Sequence, residues 1–527
     1  MTAVVTSVAG VAVVLLVSAI AGAPRARKYV TKSDFYATAR AVPPWWNASA
    51  VGSGFTSAAA FLGLAGLTAV HGTPVLWYPV GVVVGYVVLL TLVVAPLRRS
   101  GAYTLSDFAR WRLGSVAVRR VVTGFVLLIG LVYLMAQIQA AAAVLNVLAG
   151  APQWAGSCAV AAVVAVVSVA GSMTNVQAVQ FWLMLVVLAL GALGLTVAWL
   201  AGIAGPPPAE LPAGFALPYG AAVPEGGALG VAAGDLSPPG VLTVVVASAL
   251  GTMGLPHVVV RFYANPDGWS ARRTVVAVLG MLGLFYLFPP VYGVLGGLYT
   301  PGAPADQMML LLPARMWPGV PGEVLTGLLA AGAFAAFLAT SCGVVVTVGG
   351  TISSYVLGGG MCGLRVTVAG LLVVALGLIR LVSPGSSLTL VLFGLTIAAA
   401  ALCPLLVLGI WWRRLSSTGA IAGMLAGGGA VAVLTGLAAC APEAAGAAGR
   451  YPALVAVPVA FAVMLGVSAL TPRRVPPGSA DMMARMHLPE RLAHTVLHSR
   501  LGSRLDSRPL GRPPLDRSSR QSDHSPD

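Results

Sequence analysis

Thirteen separate runs of roughly twenty apolar residues dominate this chain, at approximately 2–22, 47–70, 74–96, 121–149, 153–171, 178–202, 239–259, 275–298, 323–356, 366–384, 386–411, 418–440 and 452–471. A helix needs about 20 such residues to cross the hydrocarbon core of a bilayer, where every backbone polar group must be satisfied within the segment. Run 323–356 is long enough for one tilted helix or a helix with a cytoplasmic extension. Of the 527 residues, 58% are hydrophobic and 9% charged, with mean hydropathy +0.91. A water-facing surface needs about 25% charged residues. A soluble enzyme, a disordered scaffold and a nucleic-acid-binding domain are therefore disfavoured together. The expectation is an all-α integral membrane protein of about 13 spans, in contact with the lipid bilayer and with no nucleic acid as partner.

The net charge of +15 is distributed in a way that sets topology rather than nucleic-acid binding. Arg and Lys concentrate in loops on one side of a membrane, the cytoplasmic one. The odd-numbered loops and the tail hold 27 of the 30 basic residues, leaving Arg315, Arg380 and Arg450 for the other side. This predicts an N-terminus outside, a C-terminus in the cytoplasm and an odd span count. The 28 Arg to 2 Lys, with abundant Ala, Gly and Val, fit a GC-rich bacterial genome and hence an inner-membrane location. Nothing basic precedes the first apolar run, while Arg25, Arg27 and Lys28 follow it, the reverse of a signal peptide.

Cys158, Cys342, Cys362, Cys403 and Cys440 are scattered, with no ligand spacing, and read as small packing residues. Residues 203–238 and 299–322, rich in Pro and Gly, read as irregular external connectors, with a lid as the alternative. The expected domains are a transporter unit over 1–471, with core repeats about 47–202 and 239–411, and a basic, partly disordered tail over 472–527. In that tail Met482, Met483, Met486, Leu492, Val496 and Leu501 could share one face of an interfacial helix on anionic lipid.

All fifteen acidic residues lie in loops, tails or, for Glu323, at a span end. An intramembrane carboxylate relay is thereby disfavoured, as is a buried counter-charge for a cationic substrate. No nucleotide-binding loop, nucleophile–base pair or metal cluster is present, so neither an enzyme nor a resident cofactor or metal is expected. What remains is a secondary transporter of a small anionic or neutral solute. Such transporters place their sites where two helices are broken near mid-membrane, at corresponding positions of two repeats. The second span carries Val51-Gly52-Ser53-Gly54-Phe55-Thr56-Ser57, and the seventh, five spans later, carries Gly251-Thr252-Met253-Gly254-Leu255-Pro256. Gly and Pro weaken a helix at these points, freeing carbonyls for a cation and helix N-termini for a carboxylate. Close helix packing is the competing reading for any one of these glycines.

Four stretches resemble the sodium:solute symporter family: residues 33–67 (SDFYATARAVPPWWNASAVGSGFTSAAAFLGLAGL), 101–113 (GAYTLSDFARWRL), 171–180 (GSMTNVQAVQ) and 251–267 (GTMGLPHVVVRFYANPD). Within that family the chain is most similar to the cation/acetate, or monocarboxylate, symporters, chiefly through the last stretch. The resemblance runs from about 30 to 490. It implies a LeuT-like 5+5 inverted repeat over spans two to eleven. It also implies a cation site drawn from Ser53, Thr56, Ala336, Ala339 and Thr340, or from Thr340 and Ser341 in the alternative register. The substrate candidates are Gly54, Phe55, Ser57, Gln137, Thr252, Gly254 and His257. Thr340 and Ser341 have an ordinary alternative, bonding to the carbonyl four residues back. His257 could titrate or simply pack as a neutral ring, and Arg261 also fits a cytoplasmic anchor. One departure stands out: Gly54 occupies a place where monocarboxylate members usually carry Asp, which leaves Na⁺ or H⁺ coupling open.

The expected function is cation-coupled symport of a short monocarboxylate such as acetate, pyruvate or propionate. The alternatives are another solute (proline, pantothenate or a sugar) or a non-transporting membrane sensor module. A small membrane partner protein is a further expectation.

Overall fold

The computed structural model describes residues 2–22, 43–57, 59–170, 173–205, 207, 237–356, 361–381 and 387–488. The expected connector 203–238 and the tail beyond 488, with Leu492, Val496 and Leu501, lie largely or wholly outside these residues. Every regular element among those described is helical.

The first half contains α1 (Thr2–Gly22), α2 (Pro44–Phe55), α3 (Ala60–His71), α4 (Pro74–Arg99), α5 (Leu105–Leu113), α6 (Val116–Ala149), α7 (Gln153–Ala170) and α8 (Met173–Leu200). Then come α9 (Pro238–Gly254), α10 (Pro256–Tyr263), α11 (Gly268–Tyr299), α12 (Ala305–Met316), α13 (Val320–Val356) and α14 (Met361–Leu381). The last are α15 (Ser387–Trp411), α16 (Ser417–Cys440), α17 (Pro442–Arg450), α18 (Pro452–Leu470) and α19 (Ser479–His487). Each of the thirteen apolar runs coincides with one of these helices or with a bent pair. The pairs α2–α3 and α9–α10 are bent by 67° and 45°. They are the second and seventh spans in order, as the glycine clusters led one to expect.

The 37-residue α13 is one continuous helix at the centre of the molecule. Its most apolar window is wholly buried, whereas only about a third of the corresponding windows of α16 and α18 is, as suits lipid-facing spans. Small residues allow helices to approach α13 closely: Gly10 of α1 faces Ala331, and Gly332 meets Val187 of α8. Arg112, fully buried on α5, closes the end of α15 by donating to the carbonyls of Gly409 (2.8 Å) and Trp412 (3.1 Å). A cation there meets the negative end of the α15 dipole.

Two expectations change. Residues 299–322 are not a plain connector, because α12 forms within them and buries Met308, Met309, Leu310 and Leu312. Its apolar residues recur at helical spacing, but at 12 residues the helix is too short to register as a span. The tail's methionine face does not simply lie on lipid. Met486 is fully buried, the carbonyls of Met486 and His487 accept from Arg99, and Trp411 stacks edge-on at 4.7 Å from His487.

At the end opposite the arginine-rich loops, α12 ties together two other helices. The buried Asp306 carboxylate accepts from the Ser387 backbone N–H (3.0 Å) and hydroxyl (2.8 Å), capping α15 from a different helix. The Ala305 backbone lies where a side chain at Gly66 of α3 would have to go. Burial holds the Asp306 carboxyl above its usual range, although both Ser387 bonds pull the other way. A raised carboxyl pKa means that the folded state binds the proton more tightly than the unfolded chain does. The associated stability is therefore full below about pH 4 and is lost as pH rises through the raised value. Asp306→Asn retains an acceptor for the N–H and a donor for the hydroxyl without the charge. We expect it to raise the melting temperature near pH 8 and to flatten the pH dependence there. Melting curves of both proteins from pH 4 to 9 test this, and parallel profiles would refute it.

Candidate functional site

The break between α2 and α3 follows from local chemistry. Gly52 and Gly54 each cost about 1 kcal/mol relative to Ala in a helix interior. The chain leaves the helix at Thr56 (φ −77°, ψ 57°). Ser57 restarts it, its hydroxyl accepting from the Ala60 N–H at 3.2 Å. The hydroxyls of Ser53 and Thr56 turn back to the carbonyls of Ala50 (2.9 Å) and Gly52 (3.1 Å). What α2 offers at the break is therefore backbone oxygen.

The Ser53 carbonyl is met from across the protein. Thr340 of α13 donates its hydroxyl to it at 2.7 Å, linking residues 287 positions apart. Thr340 thus bonds between helices rather than to its own preceding turn. The next hydroxyl, Ser341 Oγ, is fully buried and has no hydrogen-bond partner among the described residues. A buried unsatisfied polar atom costs about 1–3 kcal/mol, so such atoms mark places where a further group is accommodated. Ala336 and Ala339 lie on the same helix at 2% and 1% exposure. The Ala339 carbonyl accepts from Gln177 Nε2 at 2.9 Å. All six cation candidates thus lie on the two elements that the Thr340–Ser53 hydrogen bond joins: Ser53 and Thr56 at the end of α2, and Ala336, Ala339, Thr340 and Ser341 on α13. Their donor set is hard neutral oxygen, suited to a small alkali cation and free of any buried carboxylate.

On the other side of the α2 break lies an aromatic and amide cluster. His257 Nε2 is 3.3 Å from the Gly54 carbonyl, which accepts from it in the Nε2–H tautomer. The His257 ring lies 5.0 Å from that of Tyr133, and Phe55 packs edge-on against Tyr86 at 5.7 Å. Among the described residues, Tyr133 Oη and Tyr86 Oη are buried without hydrogen-bond partners, as are both amide atoms of Gln137, one turn along α6 from Tyr133. Both phenols and the amide nitrogen can donate, and an oxygen-rich anion would accept from them.

The second break is at Leu255 (φ −67°, ψ 114°), immediately before Pro256. Its glycines serve packing: Gly251 and Gly254 lie against the backbones of Leu395 and Ala398, where α15 itself is locally widened over Ala398–Leu402. Thr252 Oγ1 donates to Ser248 within α9 at 2.6 Å. The geometry brings Gly54, Phe55, Gln137 and His257 into the polar cluster or its aromatic border, and places Ser57 at the start of α3. Thr252 and Gly254 sit in the α4–α9–α15 packing instead.

Sequence reasoning missed Tyr86 and Tyr133, whose positions within apolar runs look like any buried aromatic. It also undervalued Arg261. That guanidinium bonds to Gln177 Oε1 and to Thr174 (3.1 Å), while its carbonyl accepts from Asn47 (3.3 Å). Asn47 reaches Asn265 Oδ1 as well, and Thr274 donates to the same oxygen at 2.8 Å. This polar plug fastens α2, α8, α10 and α11 together at the arginine-rich end.

Gly54 has space for a side chain. A Cβ there would meet His257 Cδ2 at 3.5 Å, an ordinary contact. We expect Gly54→Ala to leave the amount of folded protein unchanged. Gly54→Asp places a carboxylate beside His257, one residue from the candidate oxygen at Ser53, and should steepen the Na⁺ dependence of uptake several-fold. Size-exclusion yield and uptake against Na⁺ and pH decide the matter. Equal loss of folded protein in both variants would make Gly54 a packing residue only.

A broken-helix pair repeated five spans apart, facing a long central helix, is the architecture of a LeuT-fold secondary transporter. The solved structures agree. A Na⁺-coupled sialic acid symporter superposes with TM-score 0.67 at 13% identity, over 89% of this chain and 98% of its own. Mhp1, a nucleobase-cation-symport-1 family transporter, gives 0.54 at 14% identity over 86% and 99%. The profile of the sodium:solute symporter family matches residues 35–427, and the chain belongs to that family. Its relatives include an uncharacterized symporter, YwcA, of Bacillus subtilis, 27% identical over 83% of this chain and 88% of that one. Another is a monocarboxylic acid transporter of Corynebacterium glutamicum, 28% identical over 75% and 77%. The protein is a multi-pass membrane protein of a family that performs cation-coupled solute symport.

Proposed function

We propose that the protein imports a short monocarboxylate (acetate, pyruvate or propionate) together with Na⁺. The observation that carries this reading is the pairing of two complementary polar clusters on either side of the α2 break. One is a set of oxygens at Ser53, Thr340 and Ser341 with an unfilled hydroxyl. The other holds unpaired donors at Gln137, Tyr133 and Tyr86. Neither contains an ionised carboxylate. A lone ion of either sign would be costly to desolvate there, whereas a carboxylate and a cation entering together cancel in charge. Coupling then follows from electrostatics: each ion lowers the cost of binding the other. The cluster's small side-chain amide and phenols suit a substrate of few atoms. The relative that transports monocarboxylic acids supports the same class.

In this reading the arginine-rich end faces the cytoplasm of a bacterial inner membrane, with the N-terminus outside. The 1–471 unit does the transport, and residues 472–527 form a cytoplasmic appendage. Counterflow of labelled acetate in proteoliposomes, with Na⁺ and pH varied separately, is the test. Acetate counterflow stimulated by Na⁺ at constant pH is the expected result. Stimulation by protons alone would replace the cation. No counterflow of any short carboxylate under any ion would remove the substrate class.

A further inference from the structure

We propose that the cleft between α4 and α11 at the arginine-rich end is a binding site for a phospholipid with an anionic headgroup. The cleft has a volume of about 690 Å³ and is lined by Leu90 and Thr91 of α4 and by Trp269, Arg272, Arg273 and Val276 of α11. Arg272 and Arg273 form no ion pair with an acidic group among the described residues. Asp267, the acid closest in sequence, is engaged at the helix start, accepting from the Ser270 N–H at 2.6 Å. Arg273 lies 4.4 Å above the Trp269 ring, which is 64% exposed. Two guanidinium forks beside an interfacial tryptophan form a phosphate-binding arrangement at the depth where headgroups lie.

The surface leading away from the cleft matches the rest of such a lipid. Along α11, Val276, Leu284 and Leu287 are exposed at 57%, 43% and 64%. Between them Gly280 and Gly283 face open space, so an exposed apolar strip with low points at the glycines runs along the helix from the arginines. From Arg272 to Leu287 is about 22 Å at 1.5 Å per residue, enough for an acyl chain to follow across one leaflet. A free phosphate would use the arginines but not this track, and a zwitterionic lipid would use the track but gain little from two unpaired cations. The neighbouring Thr274 belongs to the Asn47–Asn265 plug, so a lipid seated here braces α11 where it holds α2.

The test is native mass spectrometry of the delipidated full-length protein, titrated with phosphatidylglycerol and with phosphatidylcholine. Phosphatidylglycerol should bind at least tenfold more tightly. That preference should fall about tenfold in Arg272→Gln/Arg273→Gln, at roughly one order of magnitude or less per arginine. It should persist in Arg413→Gln/Arg414→Gln, an exposed arginine pair outside the cleft. Val276→Trp fills the cleft without touching the charges and should weaken phosphatidylglycerol as well, which keeps the assignment testable if the double arginine variant is poorly folded. Equal binding of both lipids, equal loss in the control pair, or displacement of phosphatidylglycerol by millimolar inorganic phosphate would each overturn the proposal. The readout does not involve uptake, so a failed transport experiment leaves it standing.

Discussion

Replacing Thr340 and Ser341 together by Ala should raise the Na⁺ concentration for half-maximal uptake by tenfold or more, with the protein still folded. Thr340 donates to the Ser53 carbonyl at 2.7 Å. In the proposed reading both oxygens turn to one small cation when it binds. Ser341 adds an oxygen that is otherwise unused. Removing both leaves the ion partly stripped of water without replacement ligands, and 1.4 kcal/mol of lost coordination is already a tenfold weaker site. Folding should suffer less. Losing the Thr340 bond costs about 1 kcal/mol net, while deleting the unsatisfied Ser341 hydroxyl relieves a penalty of similar size. The check is uptake against Na⁺ at fixed carboxylate, alongside thermal melting. A wild-type Na⁺ response in the double variant would mean that the cation binds elsewhere. Single variants separate the contributions, and Thr340→Ser, which keeps the hydroxyl, should restore most of the affinity.

The spans were legible because continuous apolar sequence is itself the physical requirement for crossing a bilayer. Both helix breaks were legible because Gly52–Gly54 and Gly251–Pro256 weaken a helix wherever they occur. α12 was not legible because its apolar spacing runs for only 12 residues, too few for a span, and its burial against α3 and α15 is a tertiary event. The site itself was legible only through family resemblance. Composition gives no reason to join Ser53 to Thr340, 287 residues away, because their meeting depends on how α2 crosses α13. Arg261 shows the opposite difficulty. Its position at a span end is that of an ordinary interfacial anchor, yet it is turned inward onto Gln177 and Thr174. Tyr133 and Gln137 lie on an apolar helix, where a sequence offers no sign of which face is wet.

Gln137→Leu should abolish carboxylate uptake, by a hundredfold or more, while making the substrate-free protein more resistant to heat. The two effects have one cause. Gln137 is fully buried, and neither its amide nitrogen nor its carbonyl oxygen has a partner among the described residues. That arrangement destabilises the fold by about 1–3 kcal/mol, and a leucine of similar volume removes the cost. In the proposed reading the amide donates to the carboxylate in a site screened from water. An anion that loses such a donor must leave bulk solvent for a pocket that no longer replaces it. A residue kept only for packing would behave the other way, since exchanging it for leucine would change stability without selectively changing transport. The measurement pairs melting temperature in the absence of carboxylate with initial uptake rates over a wide acetate range. Raised thermal stability with lost uptake assigns Gln137 to the substrate. Unchanged uptake would move the anion away from the Tyr133–Gln137 face of α6, and with it the proposed pairing of carboxylate and cation across the α2 break.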